Sequence, residues 1–166
     1  QQWDDSLELS VNEVGEITVK GGAVTKEYIA RADANRLAKI DDNGETVHRM
    51  GDLGYFDEHG RLWYCGRKSH RVETAHGTFS TEQIEGIFNV HPSVYRTALV
   101  GVDGEPILWV ELESHVRNAD KNSVRRELFD LAEKHSQASQ IKTILFAKKF
   151  PTDVRHNSKI IREQLT

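Results

Sequence analysis

Three short stretches of this 166-residue chain hold side chains that chemistry can use. In Met50-Gly51-Asp52-Leu53-Gly54 a carboxylate stands between glycines. It can accept two hydrogen bonds from a vicinal diol, as acidic residues do with ribose. Asp52 would serve equally as an ordinary turn aspartate, and the five residues alone favour that plainer role. In Gly66-Arg67-Lys68-Ser69, at the end of a strand-like run, Arg67 offers a fixed fork of donors for phosphate or sugar oxygens. Gly66 there allows backbone to approach a ligand. Its alternative is a solvated basic turn. In the run from Phe150 to Ile160, Lys159 is expected at the start of a helix after a proline-led loop. From there its ammonium could reach a phosphate or charge developing on a carboxylate. The alternative is a frayed basic C-terminus.

Other chemistries are excluded. One cysteine, Cys65, rules out a disulfide framework and a thiolate zinc site. None of the eight histidines stands two or four residues from another, so metal-ligand spacing is missing, and His59 and His91 read as exposed turn residues. Ser69, Ser80 and His76 belong to no G-x-S-x-G elbow. Neither G-x-x-x-x-G-K-[ST] nor G-x-G-x-x-G occurs, so a nucleotide site cannot be built here on a glycine-rich cradle. With 22 basic against 26 acidic residues and a net charge of -4, the chain is not a general nucleic-acid binder. No run approaches the roughly 18 apolar residues of a membrane span.

The elements that must position these residues follow from patterning. Gly15 to Gly22 alternates apolar and polar residues and stops at a glycine pair, which predicts a half-buried strand. A short helix is expected over 33–37, a turn over 41–44, and a hairpin whose arms, 53–56 and 61–65, flank the loop 57–60. Arg67 to Arg71 reads as a polar connector. Ser80 followed by Gln83 has the spacing of a capping box, with Ile84, Ile87 and Phe88 on one helical face. A second, more apolar hairpin is predicted over 94–113, turning at Asp103-Gly104-Glu105. Then come a helix over 123–135, a strand over 141–146 and a short terminal helix from Asn157. The expected fold class is α+β, with a boundary near Ser69. Since the chain opens on Gln1-Gln2-Trp3, without a methionine or signal peptide, it reads as the middle or end of something longer.

The order and spacing of the motifs resemble one family. Glu16 to Gly21, Gly51-Asp52-Leu53-Gly54, Gly66-Arg67, Gln83-Ile84-Glu85 and Pro151 to Lys159 are similar to the C-terminal part of the adenylate-forming enzymes. That superfamily includes acyl-CoA synthetases, firefly luciferase and peptide-synthetase adenylation domains. The resemblance implies that residues 1–68 form the β-rich end of a large AMP-binding domain and 69–166 a small, mobile C-terminal lid. It also implies that Asp52 holds the ribose hydroxyls of ATP, that Arg67 contacts the same nucleotide, and that Ser69 occupies the hinge. Lys159 would reach the carboxylate and α-phosphate during adenylation. Some positions depart from the family pattern. Met50 replaces a threonine, Ser69 an Asp or Lys, and Ser158 the glycine before the lysine, while His76 stands at a glycine position with Gly77 one later.

The departures are themselves suggestive: the runs Met50 to Tyr55, Cys65 to Val72 and Asp153 to Asn157 resemble the bacterial olefin-biosynthesis β-lactone synthetases, in which an adenylated β-hydroxy acid closes on itself and no CoA is needed. The resemblance therefore implies ATP/AMP and Mg2+ as cofactors, with no metal ligand in this segment. A β-hydroxy or other fatty acid is the implied substrate, other olefin-biosynthesis enzymes are implied partners, and the location is cytoplasmic. Because the phosphate loop lies upstream, the segment should be inactive alone. Two other readings remain open. One is an acyl-CoA synthetase or peptide-synthetase adenylation enzyme, the other a stand-alone α+β binding module, which the flanking reading frame would reveal.

Overall fold

The computed structural model describes residues 2–75, 77–116, 120–154 and 159–166. The chain folds as two compact units, Gln1–Ser69 and His70–Thr166.

The first unit is a four-stranded antiparallel sheet built around one long strand. β1 (Gly15–Lys20) runs along one edge of β3 (Glu45–Phe56). The opposite edge of β3 changes partner along its length. It pairs with β2 (Lys39–Asp42) over residues 45–48 and with β4 (Leu62–Arg67) over residues 52–56. Helix α1 (Ala32–Ala38) leads directly into β2. The tight β2–β3 turn needs two left-handed residues, supplied by Asn43 at φ 52° and Gly44 at φ 88°. At the β3–β4 turn, Asp57 accepts from the N–H groups of His59 and Arg61 at 2.9 Å and from Trp63 Nε1 at 2.8 Å. The Trp63 hydrogen bond above all holds the Asp57 carboxyl down to about 2. Both the turn at 41–44 and the loop at 57–60 are as expected. β3, however, begins eight residues earlier than the expected arm, and β2 has no counterpart among the expected elements.

The second unit stacks elements on both faces of the three-stranded sheet β7–β8–β9. β7 (Val94–Val102) and β8 (Glu105–Leu112) form the expected hairpin, and β9 (Thr143–Ala147) adds parallel to β8 through the crossover helix α3 (Lys121–Glu133). Period-two alternation sends Leu99, Leu108 and Val110 to one face. There they meet α2 (Thr81–Phe88), α3 and the short hairpin β5 (Val72–Thr74)–β6 (Gly77–Phe79) in a core around Phe88, Leu128 and Ile141. Ala98, Val100, Ile107 and Trp109 face the other way and are covered by the C-terminal segment through Phe150, Ile160 and Leu165. Apolar residues on both faces make this an interior sheet, as its composition predicts.

Three expectations are corrected. Ser80 is the N-cap of α2, but its side chain makes no cap hydrogen bond, so the capping box is not formed. His91 is not an exposed turn residue. Its side chain is 10% exposed and its Nε2 lies 3.1 Å from Glu127 Oε2 on α3. Lys159 does not begin a helix. An antiparallel bridge joins Thr152 to Ile160, and the last helical turn is only the 3-10 segment Arg162–Gln164. His76, Asn157 and Ser158 lie outside the described residues.

Candidate nucleotide site

The β3 strand is distorted where its chemistry lies. Between the pairs Glu16↔Leu53 and Thr18↔Arg49, three residues of β3 (Met50, Gly51 and Asp52) oppose the single residue Ile17 of β1. A bulge of this kind re-aims side chains out of the ladder. Gly51 makes it possible at φ 71°, a left-handed conformation costly for residues with a Cβ. The ejected segment falls where the other edge of β3 has lost β2 and just gained β4. The expected local turn is therefore an irregularity inside a strand.

β4 supplies the counterpart. Asp52 and Arg67 stand directly opposite each other in the ladder, and Arg67 Nη1 donates to Asp52 Oδ1 at 2.9 Å and to the Met50 carbonyl at 3.1 Å. Gly66, at φ 112°, precedes Arg67 as Gly51 precedes Asp52. Leu53 pairs with Gly66 and Gly54 with Tyr64, so Cys65 is an extra residue in β4 and its side chain turns into the interior at 1% exposure. Burial pushes the Cys65 thiol up. Among the described residues Asp52 takes its hydrogen bond on Oδ1, so Oδ2 retains its lone pairs for a ligand. An acceptor carboxylate beside a half-exposed guanidinium suits a ligand that pairs a diol with an anion.

A recess of about 570 Å³ opens beside this pair, lined by Tyr28, His48, Arg49, Gly51 and Lys68 among others. Its floor is an ion cluster that residue spacing does not reveal. Glu16 Oε2 accepts from Arg49 Nη2 at 2.6 Å, from Arg49 Nε at 3.0 Å and from Lys68 Nζ at 2.7 Å. Arg49 also donates to the Leu37 carbonyl at 3.0 Å. Burial alone would raise the Glu16 carboxyl, but the hydrogen bonds and charges of Arg49 and Lys68 outweigh it and hold the group below its ordinary range. The cluster ties β1, the end of α1, β3 and the residue after Arg67 into one frame.

Of the sequence-derived residues, the structure brings Asp52 and Arg67 together. Ser69 is an exposed residue of the 3-10 turn Lys68–His70 at the end of the first unit. Lys159 belongs to the second unit. Its side chain is exposed and its carbonyl accepts from the Asp153 N–H at 2.9 Å. Among the described residues no group of three or more His, Cys, Asp or Glu side chains could hold a metal ion. No helix among them is long and apolar enough to cross a membrane.

No protein-family profile matches the chain. An olefin beta-lactone synthetase of Xanthomonas campestris pv. campestris is 49% identical to it over 173 aligned residues, covering 99% of this chain and 31% of that protein. A protein of the same name from Stenotrophomonas maltophilia is 45% identical over 98% of this chain and 31% of its own length. Among solved structures, the O-succinylbenzoate coenzyme A synthetase of Bacillus subtilis in complex with ATP and magnesium ion matches 99% of this chain. It does so with a TM-score of 0.77 at 26% identity, over 33% of its own chain. The chain thus spans about a third of the length of the relatives it matches. The fold and the 49% identity over 99% of this chain make it a member of the adenylate-forming superfamily, corresponding to the C-terminal part of those enzymes.

Proposed function

We propose that the chain is the C-terminal segment of an ATP-dependent, AMP-forming enzyme that activates a carboxylic acid. In this reading residues 1–68 close its large AMP-binding domain and 69–166 form its lid. The substrate is a β-hydroxy fatty acid and the product a β-lactone, an intermediate of cytoplasmic olefin biosynthesis. The observation that carries the reading is the Asp52–Arg67 pair, set opposite each other beside two bulges, one in β3 at Gly51 and one in β4 next to Gly66. The names of the relatives support the choice of product.

In the first half-reaction a carboxylate oxygen attacks the α-phosphorus of ATP and pyrophosphate leaves. Asp52 accepts from the ribose hydroxyls, Arg67 steadies the same nucleotide, and Lys159 stabilises the negative charge that develops between carboxylate and phosphate. In the second, the substrate's own β-hydroxyl oxygen attacks the acyl carbon, gives up its proton, and AMP departs with the bridging oxygen. Ser69 is the hinge that lets one lid serve both steps. In the same reading Mg2+ would neutralise the phosphates, held mainly by residues upstream of this chain.

ATP–pyrophosphate exchange by the complete protein with β-hydroxy fatty acids tests the proposal. Lys159→Ala should lower exchange by about 10²–10³-fold. Asp52→Ala should act mainly by raising KM for ATP. Exchange untouched by Lys159→Ala removes that residue from the mechanism. Lactone and AMP formed without CoA support an internal acceptor, and a thioester that appears only with added CoA replaces it with ligase chemistry. The 166-residue chain alone should show no exchange.

A further inference from the structure

The segment that carries Lys159 is fastened to the β7–β8–β9 sheet at both ends. At its start, the Phe150 N–H donates to Glu111 Oε2 at 3.0 Å, and Glu111 is itself paired with Arg96 at 2.9 Å. At its end, Trp109 Nε1 donates to the Leu165 carbonyl at 2.9 Å. Between them the two arms are laced by Ile161 N–H to Pro151 carbonyl and Asp153 N–H to Lys159 carbonyl, both 2.9 Å. These bonds set the width of the hairpin. The bonds at Phe150 and Leu165 hold its two ends on the sheet.

Close to Lys159 the segment is tied down by a third anchor, a buried ion pair the proposed chemistry leaves unused. Glu85 of α2 and Arg162 have side chains 6% and 11% exposed and meet through two hydrogen bonds, Nη1 to Oε1 at 2.6 Å and Nη2 to Oε2 at 3.0 Å. Leu99 of β7 closes the knot, its N–H donating to Glu85 Oε1 at 2.7 Å and its carbonyl accepting from Arg162 Nη1 at 3.1 Å. An apolar pair of similar volume would stabilise the unit as well or better, so a buried bidentate pair is weakly explained by stability. What a planar fork adds is direction as well as distance. The backbone it directs is that of Arg162, three residues after Lys159 and so within about 10 Å along the chain.

We infer that Glu85 and Arg162 are positioning residues that place Lys159 for adenylation. The inference rests on the role proposed for Lys159, and its test separates the two.

In the complete protein, Arg162→Lys keeps the charge but loses the fork. It should lower kcat for ATP–pyrophosphate exchange by about tenfold to a hundredfold while leaving KM for ATP within about twofold. Glu85→Gln, which keeps an acceptor for the Leu99 N–H, should do the same. The deciding comparison is Lys159→Ala with Arg162→Lys, which should be no slower than Lys159→Ala alone, because there is no longer an ammonium to misplace. Losses that multiply, or an Arg162→Lys enzyme as fast as wild type, overturn the inference. Hydrogen exchange at the Asp153 and Ile161 amides provides a readout independent of activity. Both should exchange at least tenfold faster in Arg162→Lys, with the β7–β8 ladder unchanged. Unaltered protection there overturns the anchoring even if Lys159→Ala proves fully active, a result that would sink the catalytic reading alone.

Discussion

At Gly54 a Cβ would lie 2.7 Å from the Trp63 carbonyl oxygen and 2.9 Å from Cδ1 of Ile17. One obstacle is backbone of the paired strand, which cannot step aside without opening the β3–β4 ladder. Gly54→Ala should therefore destabilise the first unit by about 1–3 kcal/mol, the usual range for overpacking. Gly86, on the exposed face of α2 with nothing within 4 Å of its Cβ position, should behave in the opposite sense. Gly86→Ala should stabilise by up to about 1 kcal/mol. Urea midpoints measure both, and a Gly54→Ala protein as stable as wild type contradicts this strand geometry. Asp52 and Arg67 are legible from sequence because each follows a glycine and the pair keeps its family spacing. Glu16 and Arg49 are not legible as partners. They meet across 33 residues, a separation that leaves no local periodicity to read.

Elements are readable where the pattern is long. β1, the β7–β8 hairpin and α3 each have six or more residues of alternating or helical apolar spacing. β2 and β5 have four and three residues and owe their existence to the strands they pair with. The Lys159 region misleads for a related reason. Ile160-Ile161 suits a helix as well as a strand, and the pairing with Pro151–Asp153 decides it. The Glu16 cluster gives the first unit a pH dependence at this scale. Its folded-state pKa lies below the ordinary value of 4.5, so the folded form binds fewer protons than the unfolded chain. The stability this contributes is complete above about pH 4.5 and fades as the solution is acidified through the lowered folded value. Chemical denaturation at pH 7 and at pH 3.5 should show the loss, and Glu16→Gln should flatten the difference. An unchanged slope in that variant assigns the acid sensitivity elsewhere.

Across the whole molecule the apolar interior is unevenly shared. Among the described residues Ile40, Val47, Leu53 and Cys65 are the buried apolar side chains of the first unit, against nineteen in the second. The first unit also leaves Leu7, Leu9, Val11, Phe56 and Leu62 exposed. Its core is too small to match the second unit's cooperativity, so the chain should not unfold in one step. Tryptophan reports this directly, because Trp3 and Trp63 belong to the first unit and Trp109 to the second. Trp109→Phe should show an early transition and the Trp3→Phe/Trp63→Phe double variant a late one. Coincident midpoints would mean that the chain melts as one cooperative body.

The extra residue of the β4 bulge has one more use. Cys65 is the chain's single thiol, it is buried, and it stands two positions before Arg67. A thiol reagent can modify it only when that strand opens, locally or with the first unit as a whole, so labelling reports on that opening. The molecule thus carries its own clock for the strand that presents Arg67. If nucleotide bridges Asp52 and Arg67, adding it should slow that clock before any catalytic turnover is measured.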